Sequence, residues 1–178
     1  MNGGKKLRFG HEMNSTILRE YDIRGVVGAT LGPRDIKYAA RAFGSLVVEA
    51  GGKSIALGYD GRLHSPDFEA IALEALKECG LSVFRVGRGQ SPMLYFANHF
   101  FQTVAALMIT GSHNPPDYNG MKMSLKGGAF FGEDIKILGA RAKAGSFVHG
   151  EGREETHDLR QAYAARLVKD YEGTHELK

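Results

Sequence analysis

A single cysteine, Cys79, stands among the 178 residues. That excludes an intrachain disulfide framework and any metal site built on cysteine thiolates. No apolar run approaches the roughly 20 residues that a bilayer span requires. The stretch from Met1 to His11 is polar and glycine-rich and lacks the apolar core of a secretory signal, so a soluble, cytoplasmic protein with no membrane partner is expected. Charge of one sign is equally scarce. Twenty-three Lys and Arg face 20 Asp and Glu, a formal net charge of +3, too small and too scattered for a nucleic-acid surface. Internal repeats and low-complexity tracts are absent as well. What is present is a 43% hydrophobic content with no long polar block, the composition of a folded domain. A chain of about 150 residues buries roughly 68–70% of its unfolded surface, enough for a proper core. The length suits one domain with a short appendage.

The apolar spacing sets out the elements. Pro33 opens a helix whose one face is Ile36, Ala39, Ala40, Phe43, Leu46, Val47 and Ala50, and Gly51-Gly52 stop it. Ser54 to Tyr59 reads as a short buried strand. Ser65-Pro66 then reads as an N-cap followed by proline at the first helical position. Phe68, Ile71, Ala72, Ala75, Leu76 and Cys79 line that second helix, which puts Cys79 in a packing role. Leu81–Val86 is a second strand, and Ser91-Pro92 repeats the cap-and-proline device to start a helix running through Phe101. Val104–Ile109 is a third buried strand. Gly120–Lys126 reads as a further strand, an edge or an antiparallel partner, and a helix follows over residues 133–143. Strand and helix alternating at this spacing predict an α/β fold: a three-layer α/β/α domain with a mixed, mostly parallel sheet.

Chemistry concentrates after the third strand. In Thr110-Gly-Ser-His-Asn-Pro-Pro-Asp-Tyr-Asn-Gly-Met-Lys122 a hydroxyl, an imidazole and a lysine share one Gly/Pro-rich loop. Open α/β sheets bind their ligands outside the carboxyl ends of strands, which is where this loop falls. A lone Gly-Ser is ordinarily only a self-capped turn, but here two prolines stiffen the loop beside the serine. It is not the Gly-x-Ser-x-Gly elbow of hydrolases, and no acid is placed to orient His113 in a triad. Phosphoryl transfer fits better, because it asks mainly for positioning and charge stabilisation. Ser112 would carry the phosphoryl group, with His113 and Lys122 suited to offset charge or move a proton. Arg19-Glu-Tyr-Asp-Ile-Arg-Gly25 adds two arginines able to grip phosphate. Gly58-Tyr-Asp-Gly-Arg62, at the end of the first strand, is read as a third contributor to a shared anion site.

Three of these segments, Tyr21-Asp-Ile-Arg-Gly25, Asp60-Gly-Arg62 and Thr110-Gly-Ser-His-Asn-Pro, occur in the order and spacing of the α-D-phosphohexomutases. The resemblance covers about Ile17 to Lys126. It implies that Ser112 is the phosphorylated serine, which also contacts the metal, and that Lys122 is the general acid/base. It places His113 on the histidine beside the serine and Arg24 on the phosphate-zone arginine. Tyr21 falls on a tyrosine of the same cleft, so Tyr21, Arg24, His113 and Lys122 are the implied substrate-binding residues. The implied partners are hexose phosphates and hexose 1,6-bisphosphate. The implied cofactor is Mg²⁺ held through the phosphate on Ser112, with its other ligands in a second domain.

Several departures accompany the likeness. Tyr59 and His64 replace an arginine and a serine common around the Asp-Gly-Arg turn. Family chains are more than twice as long, and no Asp-Gly-Asp metal motif occurs in this sequence. The expected division is a disordered leader over 1–15, the phosphoserine domain over 16–150, and a linker with the first helix of a truncated second domain over 151–178. That helix is expected from Thr156, with Leu159, Tyr163, Leu167 and Tyr171 as its stripe, and its exposed face invites self-association. The polypeptide alone is expected to be nearly inactive as a mutase. Two other readings stay open at this point: a non-catalytic phosphosugar-binding module, and an interaction domain that works through the last helix.

Overall fold

The structure, a computed structural model, describes residues 9–171. Its strands are β1 (Ile23–Val26), β2 (Ser54–Tyr59), β3 (Ser82–Arg88), β4 (Ala105–Ile109), β5 (Tyr118–Leu125), β6 (Gly128–Ala129) and β7 (Arg153–Thr156). Its helices are α1 (Pro33–Glu49), α2 (Ser65–Lys77), α3 (Ser91–Phe100), α4 (Glu133–Ala144) and α5 (Arg160–Asp170). The sheet runs β1-β5-β4-β2-β3-β7, with β6 beside β5. Only β5 opposes the rest: it pairs antiparallel with β1, β4 and β6, whereas β2 pairs parallel with β3 and β4, and β3 with β7. The mostly parallel sheet of the sequence reading is therefore present. β5 is not an edge, because β1 closes over it.

The period of two along the buried strands sorts side chains to opposite faces. Ile55 and Leu57 of β2, with Ala105, Leu107 and Ile109 of β4, enter the core shared with α1, α2 and α4. Ala56, Ala106 and Met108 point the other way, into a smaller cluster with Met93, Leu94 and Ala97 of α3 and Leu159 at the start of α5. One face of the sheet thus packs under α1, α2 and α4, and the other under α3 and the start of α5. Phe43 of α1 meets Phe130 edge-on at 5.1 Å between centroids, and each fully buried side chain of this size contributes about 1.5–3 kcal/mol. Cys79 lies 2% exposed in the larger core, and burial pushes its thiol up, in keeping with a packing role.

Four expectations are corrected. The disordered leader does not extend to residue 15: residues 1–8 lie outside those described, but residues 9–15 lie on the domain. The His11 amide donates to the Ala142 carbonyl at 2.9 Å, its Nε2 sits 2.7 Å from Asp35 Oδ1, and Met13 is buried. A backbone bond, the His11–Asp35 contact and one buried methionine hold a stretch whose composition is polar. The linker expected after residue 150 contains β7, whose backbone pairs with β3 although all four side chains are exposed. The last helix begins at Arg160, because Thr156 is still in that strand. Only its first half docks, through Leu159 and Tyr163, the latter 5.6 Å from the Phe96 ring; Leu167 and Tyr171 are exposed. Finally, Ser65 and Ser91 are not N-caps. Each already lies inside the first turn, after His64 and Gln90 respectively.

Candidate active site

The loop after β4 is built around a strained serine. Ser112 has φ of +52°, a left-handed conformation that costs a non-glycine residue about 1–2 kcal/mol. Its amide donates to Thr110 Oγ1 at 2.8 Å, and the Asn114 amide and side chain both donate to the Gly111 carbonyl, at 3.1 and 3.2 Å. These local bonds turn the chain so that the Ser112 side chain stands exposed at the tip. His113 follows it, also exposed, with Nδ1 3.4 Å from Ser112 Oγ.

Beneath the loop lies the Asp60-Gly-Arg62 turn from the end of β2. Arg62 does not face an anion. Its guanidinium donates to the carbonyls of Ser112 at 3.0 Å, Asn114 at 2.6 Å and Tyr118 at 2.9 Å, and to that of Pro115. Its Nε is 3.3 Å from Asp60 Oδ2. The expectation that this turn contributes to a shared anion site is therefore corrected for Arg62: its donors are committed to backbone carbonyls. Asp60 is the partner the sequence reading overlooked. Its Oδ2 accepts the Gly111 amide at 2.9 Å; its Oδ1 accepts the Ser65 hydroxyl at 2.6 Å and the Arg62 amide at 3.1 Å.

Burial by itself raises the Asp60 carboxyl, but the hydrogen bonds from Ser65, from the Arg62 and Gly111 amides and from Thr110 outweigh it and hold the group below the usual aspartate value. A depressed folded value stabilises the fold at every pH above the ordinary aspartate pKa of about 3.9, and the contribution disappears as pH falls through the folded value. Asp60→Asn should therefore lower the urea midpoint at neutral pH by a margin that narrows steadily on acidification below that point. A margin independent of pH would contradict this.

The facing wall comes from β1 and β5. Cross-strand register sets Arg24 opposite Gly120, and Lys122 opposite Met108 of β4, so Lys122 projects on the face that α3 covers farther along the sheet. Arg24 is 3% exposed. Its Nη1 donates to the Gly111 carbonyl at 2.5 Å, its Nη2 pairs with Asp22, and its Nε has no partner. Burial lowers Arg24 more than Asp22 raises it, and Arg19 and Arg62 push the same way as burial. Lys122 Nζ lies 3.8 Å from the same Asp22 carboxylate. Asp22, missed in the sequence, thus sits between the two cations of the motif. Arg19 lies over the Tyr118 ring at 5.8 Å, and Tyr21 stacks on Phe131 while remaining largely exposed.

A cleft of about 520 Å³ opens between these walls, lined by Arg19, Tyr21, Arg24, Ser112, His113 and Lys122 among others. That volume lies within the usual range of small-molecule sites, about 300–1,000 Å³. Ser112, His113, Lys122, Arg24 and Tyr21, the catalytic and substrate-binding residues expected from the sequence, all border it, whereas the Asp60-Gly-Arg62 turn does not. Tyr21 and Lys122 also line a neighbouring groove of about 460 Å³ between β5 and α3. Among the described residues, no three His, Cys, Asp or Glu side chains cluster in a way that could hold a metal ion.

The fold is thus an α/β/α domain that raises an exposed serine beside buried and half-buried cations. The model of the phosphoglucomutase/phosphomannomutase α/β/α domain I matches residues 15–148. The chain belongs to that family, as its first domain. It is 37% identical over 156 residues to a phosphomannomutase/phosphoglucomutase of Pseudomonas aeruginosa, covering 88% of this chain and 34% of the relative. It is 42% identical over 154 residues to a phosphoglucomutase of Neisseria gonorrhoeae, covering 85% and 34%. A crystal structure of a family protein from Burkholderia thailandensis superposes with a TM-score of 0.86 at 36% identity, over 92% of this chain and 37% of that one. The chain therefore spans about a third of the length of the curated relatives it matches.

Proposed function

We propose that this domain supplies the phosphoserine of a phosphomannomutase/phosphoglucomutase, an intramolecular phosphotransferase that interconverts hexose 1-phosphate and hexose 6-phosphate. The observation that carries the reading is the placement of Ser112: an exposed hydroxyl at the tip of a strained loop, in one cleft with Lys122 and Arg24. In the forward half-reaction a free sugar hydroxyl attacks the phosphorus on Ser112. The new P–O bond to the sugar forms as the Oγ–P bond breaks, giving a bisphosphorylated hexose. The amine of Lys122 takes the attacking hydroxyl's proton and returns a proton to the departing Ser112 oxygen. When the other phosphoryl group of the bisphosphate moves back to Ser112, the same steps run in reverse.

Arg19, Arg24 and Lys122 outnumber Glu20 and Asp22 in the cleft lining, which leaves it the positive balance that suits a phosphate. His113 lies close enough to Ser112 Oγ to hydrogen-bond a phosphate attached there, and Tyr21 forms the outer wall. Magnesium is a poor fit to the described residues alone. Asp22, the carboxylate nearest Lys122, is already engaged by Lys122 and Arg24, and magnesium usually combines carboxylates with phosphate oxygens. An ion here would hold the Ser112 phosphate and take its remaining ligands from elsewhere. None of the proton movements above depends on it.

The reading is tested by intact mass. After incubation with glucose 1,6-bisphosphate the chain should gain one phosphate and Ser112→Ala should gain none, while net mutase turnover by this polypeptide stays negligible. A wild-type chain that binds the bisphosphate yet never gains a phosphate would favour a purely phosphosugar-binding module.

A further inference from the structure

We infer that Arg62, braced by Asp60, is the positioning residue for the Ser112 loop, and that a buried relay through Ser65 and Asn119 ties this loop to the strand bearing Lys122. The inference deepens the phosphoserine reading and rests on it.

Four carbonyls of one short loop, those of Ser112, Asn114, Pro115 and Tyr118, converge on a single guanidinium. With four of its carbonyls fixed on one guanidinium, the loop has little freedom to flip those peptide planes, which helps to keep Ser112 at positive φ. Gly111 fits the same design. A Cβ there would lie 2.1 Å from Arg62 Nε and 2.2 Å from Cζ, so the guanidinium lies flat against that residue's backbone. A lysine could not substitute, because one ammonium cannot meet four acceptors spread over seven residues.

The relay explains how the serine and the lysine keep their register. Asn119, fully buried on β5 three residues before Lys122, donates from Nδ2 to Ser65 Oγ at 2.9 Å. Ser65 Oγ donates to Asp60 Oδ1, and the other oxygen of that carboxylate holds the Gly111 amide. The nucleophile's loop and the proton carrier's strand are thus bound to one carboxylate by a continuous hydrogen-bonded path that does not pass through the cleft. From the other side Arg24 holds the Gly111 carbonyl. Asp60 Oδ2 is also the partner of Arg62 Nε, so the arginine's charge is balanced where it sits and adds little to the pull on substrate.

The test uses this chain with Arg62→Ala, Arg62→Lys and Gly111→Ala, and two readouts. The first is amide hydrogen exchange by NMR at Gly111 and Asn114, set against residues 105–109 of β4. Loss of the charge-assisted bonds should speed exchange in the loop by at least about tenfold and leave the strand unchanged. Arg62→Lys should not restore it. Gly111→Ala, which keeps Arg62 but displaces its guanidinium, should match Arg62→Ala, and the double variant should go no further than either. The second readout is the rate of phosphate gain on Ser112 from glucose 1,6-bisphosphate. It should fall at least about tenfold in Arg62→Ala and recover in part when guanidinium ion is added at low millimolar concentration.

Wild-type loop exchange in Arg62→Ala, full restoration by lysine, or multiplying effects in the double variant would each overturn the inference. Should Arg62→Ala fail to fold, Arg62→Gln replaces it with the same expectations. If the wild-type chain takes up no phosphate, the phosphoserine reading falls, while the exchange data still decide the role of Arg62.

Discussion

Replacing Lys122 by alanine is expected to leave the fold intact and to slow phosphoryl transfer between Ser112 and a hexose phosphate by about 10²–10⁴-fold, the usual worth of a positioned acid or base. The fold should survive because Lys122 contributes nothing to the core. Its side chain is one-third exposed to the cleft, while its neighbours Met121 and Met123 face the other way into the larger cluster. The rate should fall because no other amine of the described site lines the cleft beside Ser112. The measurement is the decay of the phosphorylated chain on addition of hexose 1-phosphate, followed by mass. Decay at the wild-type rate would remove Lys122 from the mechanism and leave a purely electrostatic site.

Gly120→Ala is expected to do the opposite, harming the fold first and the chemistry through it. A Cβ at Gly120 would sit 1.8 Å from the Ile23 carbonyl oxygen and 2.8 Å from its carbon. Both are backbone atoms of β1, so no rotamer change relieves the clash, and β1 must move off β5. The four paired residues of β1 include Arg24, and Asp22 immediately precedes them. The displacement therefore takes the buried cation and the carboxylate between the two cations together. We expect a loss of about 3 kcal/mol, the upper end of the usual overpacking cost. Gly61→Ala is the control: nothing lies within 4 Å of a Cβ there, and its effect should stay within about 0.5 kcal/mol. Denaturant melts of the two variants separate the cases, and equal midpoints would show that β1 yields without cost.

The elements that bury a regular stripe were the ones legible in the sequence. The faces of α1 and α2 follow the spacing of their apolar residues, and β2 and β4 stand where short apolar runs meet turn residues. Three strands escaped. β6 is only two residues long, and β1 and β7 share a reason: their pairing is backbone chemistry that side chains do not advertise. β1 is four residues long with a buried arginine in its middle, and β7 is the charged, wholly exposed segment Arg153-Glu-Glu-Thr156. Composition alone makes such a segment a linker; the open edge of β3 makes it a strand.

At the site, the cleft gathers Ser112, His113 and Lys122, which share one loop and one strand, with Arg24, expected as a phosphate-gripping arginine, and Tyr21, expected from the family likeness alone. The turn that carries Arg62 was read as part of an anion site. An arginine in a glycine turn has the donors to hold a phosphate, and only the tertiary approach of the β4 loop, 50 residues later in the chain, brings the four carbonyls that occupy them. Ser65 shows the same failure on a smaller scale. Before proline it looks like a helix cap, yet its hydroxyl is spent on Asp60. The signal that could have revealed both was the pair Asp60 and Arg62 itself, an acid and a base two residues apart, able to neutralise each other in the turn.

Fragmentation mass spectrometry of the peptide spanning residues 105–122, after exposure to glucose 1,6-bisphosphate, tests the central claim most directly. One phosphate is expected, on the Ser112 hydroxyl, with none on Thr110 or His113. A phosphate found on another residue, or a peptide that stays unmodified while the cleft is saturated with bisphosphate, would contradict it.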